Sequence, residues 1–175
     1  MTKWLLVLLP FLLAQSAQGA PAETPRDPRL EAMKALPQLA GRWEGGGWIR
    51  QGPGEPVRFV GEERVEPRLD GRILVVEGKH LSPDRSQVVH HAFAIVSFDP
   101  EKQGYRFQTH LVNGRGGDFP AALEDGAFVW EMDSPNGHVR FVIRIEGDRW
   151  HEVGTIDRQG QRHQFFEMDL RRVGS

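Results

Sequence analysis

Apolar and polar residues alternate with a period of two along most of this chain, from Gly41 to the carboxyl terminus. Such alternation is typical of β-strands that bury one face. Short turn sequences, among them Asp70-Gly71 and Asn113-Gly114, separate the alternating runs and favour tight hairpins. The pattern predicts ten strands, at residues 42–51, 57–69, 72–81, 87–99, 105–112, 119–123, 127–133, 138–146, 149–157 and 162–172.

A helical period precedes the strands. Leu30, Met33 and Leu36 recur every three residues, which places them on one apolar stripe of a short helix. Asp27 suits the N-cap position and Pro28 the first helical position. The pattern predicts a helix within residues 27–39.

Alternation also predicts which side chains face the interior. Hairpin-length connections make neighbouring strands antiparallel, and a long sheet with one apolar face either pairs with another sheet or closes on itself. We therefore expect an all-β protein, a closed up-and-down antiparallel β-barrel of about ten strands with a short N-terminal helix. The side chains expected inside include Tyr105, Phe107, Leu111, Phe128, Trp130, Met132, Val139, Phe141, Ile143, Ile145, Phe166, Met168 and Leu170.

The first residues have the pattern of a secretory signal. Lys3 precedes an apolar run at residues 4–13, and small residues follow up to Ala20. The run is shorter than the roughly twenty residues of a membrane-spanning helix. We expect a signal peptide at residues 1–19, a disordered leader at 20–28 and a single domain at 29–173. The expected location is periplasmic or secreted, with no membrane insertion after cleavage.

Composition narrows the classes of partner. The chain has 175 residues, no cysteine and a formal net charge of -2. Without disulfides, its stability must come from the core. Positive and negative side chains are interspersed, so nucleic acid is not an expected partner.

A glycine-rich first strand resembles that of a known group. Gly41-x-Trp43, followed by Gly45 and Gly47 and then by about ten strands, resembles the calycin group of lipocalins, fatty-acid-binding proteins and nitrobindins. The resemblance implies that Trp43 is a structural plug at one end of the barrel. It also implies that an arginine of the last strand, Arg171 or Arg172, stacks on that tryptophan.

Within that group, the chain most resembles the uncharacterised bacterial exported proteins of the DUF1579 type. The residues that carry this resemblance are 69–72, 98–100 with Tyr105, 148–154 and 166–172. Most of these motifs are structural, so the resemblance implies a fold and does not name a ligand.

Aromatic residues on the expected inner faces predict a ligand site in the barrel lumen. We expect an exported, lipocalin-like and non-enzymatic protein that binds a small hydrophobic or amphipathic molecule there. Polar side chains on apolar strands are further candidates, because a buried polar group is costly unless it has a partner. The lumen candidates are Phe59, His91, Phe93, Phe107, Trp130, Phe141, Glu152 and Phe166.

Three alternatives remain open. The nitrobindin resemblance implies heme bound by a histidine five residues before Leu170; that position is Phe165, and the nearest histidine is His163. A barrel enzyme that uses His163 or His151 is the second alternative, although the chain has no G-x-S-x-G motif and no cysteine nucleophile. The third is a ligand-free interaction module, for example a homodimer formed through outward-facing residues, namely Val129, Val142 and Phe165. We expect no resident cofactor apart from the heme alternative, and no metal.

Overall fold

The computed structural model describes residues 27–174, so the predicted signal peptide and most of the predicted leader lie outside the described residues. One helix, α1 (Pro28–Ala35), precedes ten strands. No helix within residues 27–174 has the length and hydropathy that crossing a bilayer requires. The strands are β1 (Gly41–Ile49), β2 (Val57–Arg68), β3 (Ile73–Leu81), β4 (Val88–Asp99), β5 (Gly104–Leu111), β6 (Gly116–Glu124), β7 (Ala127–Ser134), β8 (Gly137–Glu146), β9 (Arg149–Arg158) and β10 (Gln161–Arg172).

The ten strands form a closed antiparallel barrel in sequence order. Each strand pairs with its neighbours along the chain, and β1 closes the sheet by pairing with β10. This arrangement confirms the predicted all-β meander barrel with a short N-terminal helix. The register also confirms the inner face predicted for β7 and β8, because Phe128 lies opposite Ile143 and Trp130 lies opposite Phe141.

The helix covers one end of the barrel, which we call the closed end. The Asp27 side chain caps α1 by accepting a hydrogen bond from the Arg29 amide at 3.0 Å. Met33 is buried, and the Tyr105 hydroxyl of β5 donates to the carbonyl of Ala32 at 2.6 Å. The indole of Trp43 donates to the carbonyl of Leu39 at 2.8 Å. The segment after α1 is thereby tied to the first strand.

Trp43 is fully buried at the closed end, as the plug interpretation expected. Its ring makes an edge contact with Trp150, with 5.6 Å between the ring centroids. The arginine over the ring is Arg172, whose guanidinium carbon lies 4.0 Å from the ring centroid. Arg172 also donates to the carbonyls of Ala40 and Gln38.

The other predicted partner for this contact, Arg171, is wrong. Arg171 is exposed and lies opposite Glu44 in the register of β1 and β10. Adjacent residues of a strand point to opposite faces, so only one of the two arginines can reach a ring inside the barrel. Arg172 lies directly opposite Trp43 and therefore shares its face.

Close approach of two backbones explains the glycines of the first strand. A Cβ atom at Gly45 would lie 2.2 Å from the carbonyl oxygen of Asp169. One at Gly47 would lie 2.0 Å from the carbonyl oxygen of Glu167. Both carbonyls belong to β10, so the glycines permit the pairing that closes the barrel.

The plug can be tested with two neighbouring arginines. We expect Arg172→Ala to lower the free energy of unfolding by about 2 kcal/mol, because a cation–π contact and hydrogen bonds from a charged group are lost. Arg171→Ala is the matched control and should change it by less than about 0.5 kcal/mol. Urea unfolding followed by tryptophan fluorescence measures both. Equal losses in the two variants would contradict the assignment.

Candidate functional site

The two ends of the barrel interior differ in exposure. At the closed end Trp43, Phe128 and Leu170 are fully buried. At the other end, which we call the mouth, the inward-facing aromatic residues are only partly buried. They are Phe107, Phe119, Trp130 and Phe141. The mouth is therefore the part of the interior that is partly exposed to solvent.

Stacked aromatic rings line the mouth. Trp130 lies parallel to Phe141, with 4.3 Å between ring centroids and 5° between the planes. Phe107 lies 4.8 Å from Trp130, and Phe141 lies 5.7 Å from Phe166. Phe166 in turn stacks on Phe59 at 5.9 Å. Because these rings touch one another, a ligand placed among them must replace some of their contacts.

Buried polar side chains lie beneath the rings and form what we call the polar floor, which consists of Glu63, His80, Thr109 and Glu152. Oε1 of Glu63 lies 3.0 Å from Nε2 of His80. The His80 ring stacks on Phe59, with 4.4 Å between centroids and 3° between planes. The Trp150 indole donates to Glu152 at 3.2 Å. The aromatic lining and the polar floor are thus in direct contact.

Two inward-facing glycines make room for the Glu63 and His80 pair. A Cβ atom at Gly78 would lie 2.3 Å from Oε1 of Glu63, and one at Gly61 would lie 2.9 Å from Cδ2 of His80. Glu63 lies opposite Gly78 in the register, and His80 lies opposite Gly61. Each polar side chain therefore occupies the space that a side chain on the neighbouring strand would fill.

Burial shifts the ionisation of the interior groups strongly. Desolvation raises the pKa of Glu63 to about 8, and the charge of Glu62 adds to the shift. Desolvation also raises the pKa of Glu152 to about 8, with a further contribution from Glu63. Desolvation lowers the pKa of His80 to about 4. It also lowers the pKa of His90 to about 4, with smaller contributions from the neighbouring imidazoles of His80 and His91. At neutral pH these four interior groups are therefore mainly uncharged.

Six of the predicted lumen residues lie on the inner face. Phe59, Phe107, Trp130, Phe141, Glu152 and Phe166 all occupy inward positions of the register. Their role in binding stays a prediction.

The predicted lumen positions of His91 and Phe93 are wrong, because both residues lie on the outer face. His91 lies opposite Lys79, and Phe93 lies opposite Glu77 and is 39% exposed. Apolar residues of β4 occur on both faces of the strand, so alternation alone did not show which face points inward. The inward positions of this strand include Ala92, which lies opposite Gly78.

Sequence reasoning missed Glu63, His80 and His90. His90 lies opposite His80 across β3 and β4, and their ring centroids are 5.4 Å apart. Glu63 belongs to a charged stretch, Glu62-Glu63-Arg64, and consecutive charged residues usually indicate a strand exposed to solvent. The sequence nevertheless contained a signal. Phe59, Glu63 and Val65 are separated by even numbers of residues, so alternation places Glu63 on the same face as these two apolar side chains.

The other two candidate histidines are on opposite sides of the barrel wall. His151 lies on the outer face, 3.1 Å from a carboxylate oxygen of Glu167. His163 lies opposite Ile156, an inward residue, and is exposed at the mouth. A bulge between Gln164 and Phe166 shifts the register, so His163 lies on the same face as Phe166. Strict alternation along the strand would instead have placed His163 on the face of Phe165.

Two further observations bear on what the interior can bind. The Nε1 atom of Trp130 is buried and has no hydrogen-bond partner within residues 27–174. Over the same residues, no three histidine, aspartate or glutamate side chains cluster closely enough to hold a metal ion.

Charged residues line the two surface depressions. One, of about 670 Å³, is lined largely by outer-face residues of β1 to β4, including Arg64 and Glu77. The other, of about 480 Å³, is lined by residues of β7 to β10, including Arg140 and Asp157.

Of the residues predicted for a homodimer, Val129 is only 2% exposed and Phe165 packs against Phe141.

Comparison with solved structures identifies the type of barrel. The chain is 14% identical to Rv2717c from M. tuberculosis, with a TM-score of 0.61 over 85% of this chain and 99% of that one. It is 11% identical to the S-type phycobiliprotein lyase CPES from Guillardia theta, with a TM-score of 0.57 over 83% of this chain and 92% of that one. The chain has a calycin-like barrel fold. No family model matches this calycin-like barrel, and no curated protein is similar to it in sequence.

The buried carboxyls make stability depend on pH in a defined direction. Above pH 6.5, which is the ordinary pKa of a histidine side chain, His80 and His90 are mainly neutral whether the chain is folded or not. Between there and pH 8 the folded state retains the protons of Glu63 and Glu152, whereas the unfolded state has lost them. The free energy of unfolding should therefore fall as pH rises through this window, by about 1–2 kcal/mol per carboxyl.

Below this window the histidines oppose the trend. Between their folded pKa of about 4 and 6.5, the unfolded state binds more protons at His80 and His90, so they make stability rise with pH. Chemical denaturation at a series of pH values measures both parts of the curve. Glu152→Gln should reduce the fall above pH 6.5, whereas the outer-face variant Glu77→Gln should leave it unchanged. A wild-type curve that rises from pH 6.5 to pH 8 would contradict the assignment.

Proposed function

We propose that this calycin-like barrel binds a small hydrophobic or amphipathic molecule in the mouth half of its lumen. The observation that carries the proposal is the polar floor, where Glu63, His80 and Glu152 are buried. The His80 ring of this floor stacks against the rings of Phe59 and Phe166. An apolar site with a few convergent polar groups of shifted pKa is the usual form of a small-molecule site.

Energetics support a functional role for these groups. Burying a carboxyl or an imidazole costs free energy that a leucine of similar volume would not cost. Glycines at positions 61 and 78 leave the space in which these polar groups lie. An interior designed only for stability would fill that space with apolar side chains. The buried and unpartnered Nε1 of Trp130 adds a hydrogen-bond donor for a ligand.

The proposal extends to the family and the compartment. We infer an exported protein of the DUF1579 type, located in the periplasm or secreted, with residues 1–19 as its signal peptide. The structural neighbour named as a phycobiliprotein lyase supports the view that a barrel of this fold carries a biochemical role. Binding without catalysis accounts for the interior groups that we describe.

Binding can be tested with the neutral fluorescent probe phenylnaphthylamine. We expect the wild-type protein to enhance its fluorescence and Phe141→Ala to weaken binding about tenfold, because the stacked wall beside Trp130 is lost. Phe93→Ala, on the outer face, is the matched control and should bind within about twofold of wild type. Circular dichroism checks the fold, and Phe141→Leu replaces the alanine variant if that variant unfolds.

The proposal is contradicted if the wild-type protein leaves the probe unchanged. It is also contradicted if the Phe141 and Phe93 variants lose equal affinity, because the probe would then bind outside the lumen.

The bulge at Phe165 favours heme as a second candidate ligand. It brings His163 to the inner face at the mouth, where it lies opposite Ile156. His163 would supply an imidazole ligand to the iron, and aromatic rings such as Phe141 and Phe165, which pack at 5.5 Å, would supply flat apolar walls. The rings now in contact would have to separate to admit a macrocycle.

Heme titration followed by visible absorption tests this candidate. A bound imidazole should give a sharp Soret band that His163→Ala abolishes, whereas the exposed outer-face variant His138→Ala should keep it. A band that persists in His163→Ala, or no band in wild type, would rule out this ligand.

A further inference from the structure

The ionisable side chains that face the lumen are few, and the register identifies them. Strands β1, β6, β7 and β8 place none on the inner face. The remaining strands contribute Glu63, His80, His90, Tyr105, Glu152, Arg158, His163 and Arg172. Arg158 is exposed at the end of β9. Away from that exposed rim, the interior described within residues 27–174 therefore contains two carboxyls, no lysine and one arginine.

That arginine does not balance the carboxyls. Arg172 lies at the closed end, over Trp43, where it donates to backbone carbonyls and pairs with Asp148. Tyr105 is also engaged, because its hydroxyl donates to Ala32. The buried interior between the closed end and the mouth thus holds two acids and two neutral imidazoles without a buried cation beside them.

Each buried carboxyl retains an unused acceptor. Glu63 uses Oε1 with His80, and Glu152 uses Oε2 with the Trp150 indole. The second oxygen of each carboxyl receives no side-chain hydrogen bond from any residue between 27 and 174. Trp43 lies opposite Glu63 in the register of β1 and β2. Its ring contacts Trp150, whose indole donates to Glu152, so the same pair of indoles adjoins both carboxyls. A donor placed between them would meet two free acceptors.

The surrounding rings favour a cation over other donors. Phe59 and Phe166 stack beside the Glu63 and His80 pair, and their faces attract positive charge. An anion would supply no counterion and would be repelled by whichever carboxyl is ionised, and the described residues hold no cluster of three metal ligands. An organic ammonium group is the donor that satisfies both the carboxyls and the rings.

We propose that the lumen ligand is an amine, whose protonated nitrogen binds between Glu63 and Glu152 while its apolar body lies among the mouth rings. This inference rests on the proposed function and specifies its ligand class. On binding, one carboxyl releases its O–H proton to solvent and the carboxylate accepts an N–H hydrogen bond from the ammonium, which keeps its own proton. The reaction takes up one cation and releases one proton, so charge balances.

A matched series of probes separates this inference from the proposed function. Naphthylmethylamine, naphthylmethanol and naphthoate share one apolar body and differ in charge, and each displaces phenylnaphthylamine from the lumen. We expect the amine to bind about tenfold to a hundredfold more tightly than the alcohol at pH 8, and the naphthoate to bind most weakly.

The pH dependence supplies a second, independent readout. Because the free carboxyls have a pKa of about 8, amine binding should release about one proton below that pH. The affinity for the amine should therefore rise with pH by up to about tenfold per unit below pH 8, whereas that for the alcohol should be flat. His80 and His90 stay neutral over this range, with pKa values of about 4. Calorimetry in two buffers of different ionisation enthalpy counts the released proton.

Variants then assign the effect to the interior carboxyls. Glu152→Gln and Glu63→Gln should each reduce the preference for the amine over the alcohol about tenfold while keeping affinity for the alcohol. Glu77→Gln, which changes an exposed outer-face carboxyl, should leave the preference unchanged. Wild-type pH dependence and proton release remain decisive if either interior variant fails to fold.

The outcomes are distinguishable. Equal affinities for amine and alcohol, or binding without proton release, overturn the amine inference and leave the lumen as an apolar binding site. Failure of all three compounds and of phenylnaphthylamine overturns the proposed function itself. A preference that survives in both interior variants overturns the assignment to Glu63 and Glu152.

Discussion

The pairing of β1 with β10 is the constraint on which the rest of the structure depends. It joins the first and last strands, so the sheet has no free edge and every strand has two neighbours. The two backbones can approach because Gly45 and Gly47 carry no side chain. The same pairing sets Arg172 opposite Trp43, and this contact fixes the closed end. Closure therefore determines both the wall of the barrel and one of its ends.

Closure also produces an interior with two different halves. Near the helix, large apolar side chains such as Phe128 and Leu170 are fully buried. Towards the mouth, glycines at positions 61 and 78 alternate with polar side chains, and the rings above them remain partly exposed. The packed half stabilises the fold, which allows the other half to carry groups that are costly to bury. Proteins commonly place groups that reduce stability at functional sites and compensate for them with well-packed apolar residues elsewhere.

The chemistry of the mouth half follows from its low polarity. A carboxyl without a counterion loses more solvation than a single hydrogen bond from a neutral side chain restores, so Glu63 and Glu152 retain their protons to an unusually high pH. A ligand that supplies positive charge replaces the missing counterion and can drive those protons out. In this protein, stability, ionisation and ligand preference are therefore linked through the same two side chains.

The sequence by itself determined the secondary structure, the meander topology and most of the inner face. Turn residues and period-two alternation are local signals, and they placed Trp130, Phe141 and Phe166 inside correctly. Only the tertiary structure decided the contents of the polar floor, the parity of β4 and the partner of Trp43. The physical reason is that a bulge or a two-sided apolar run resets alternation, and pairs such as Glu63 with His80 form between strands whose register is set by the whole closed sheet.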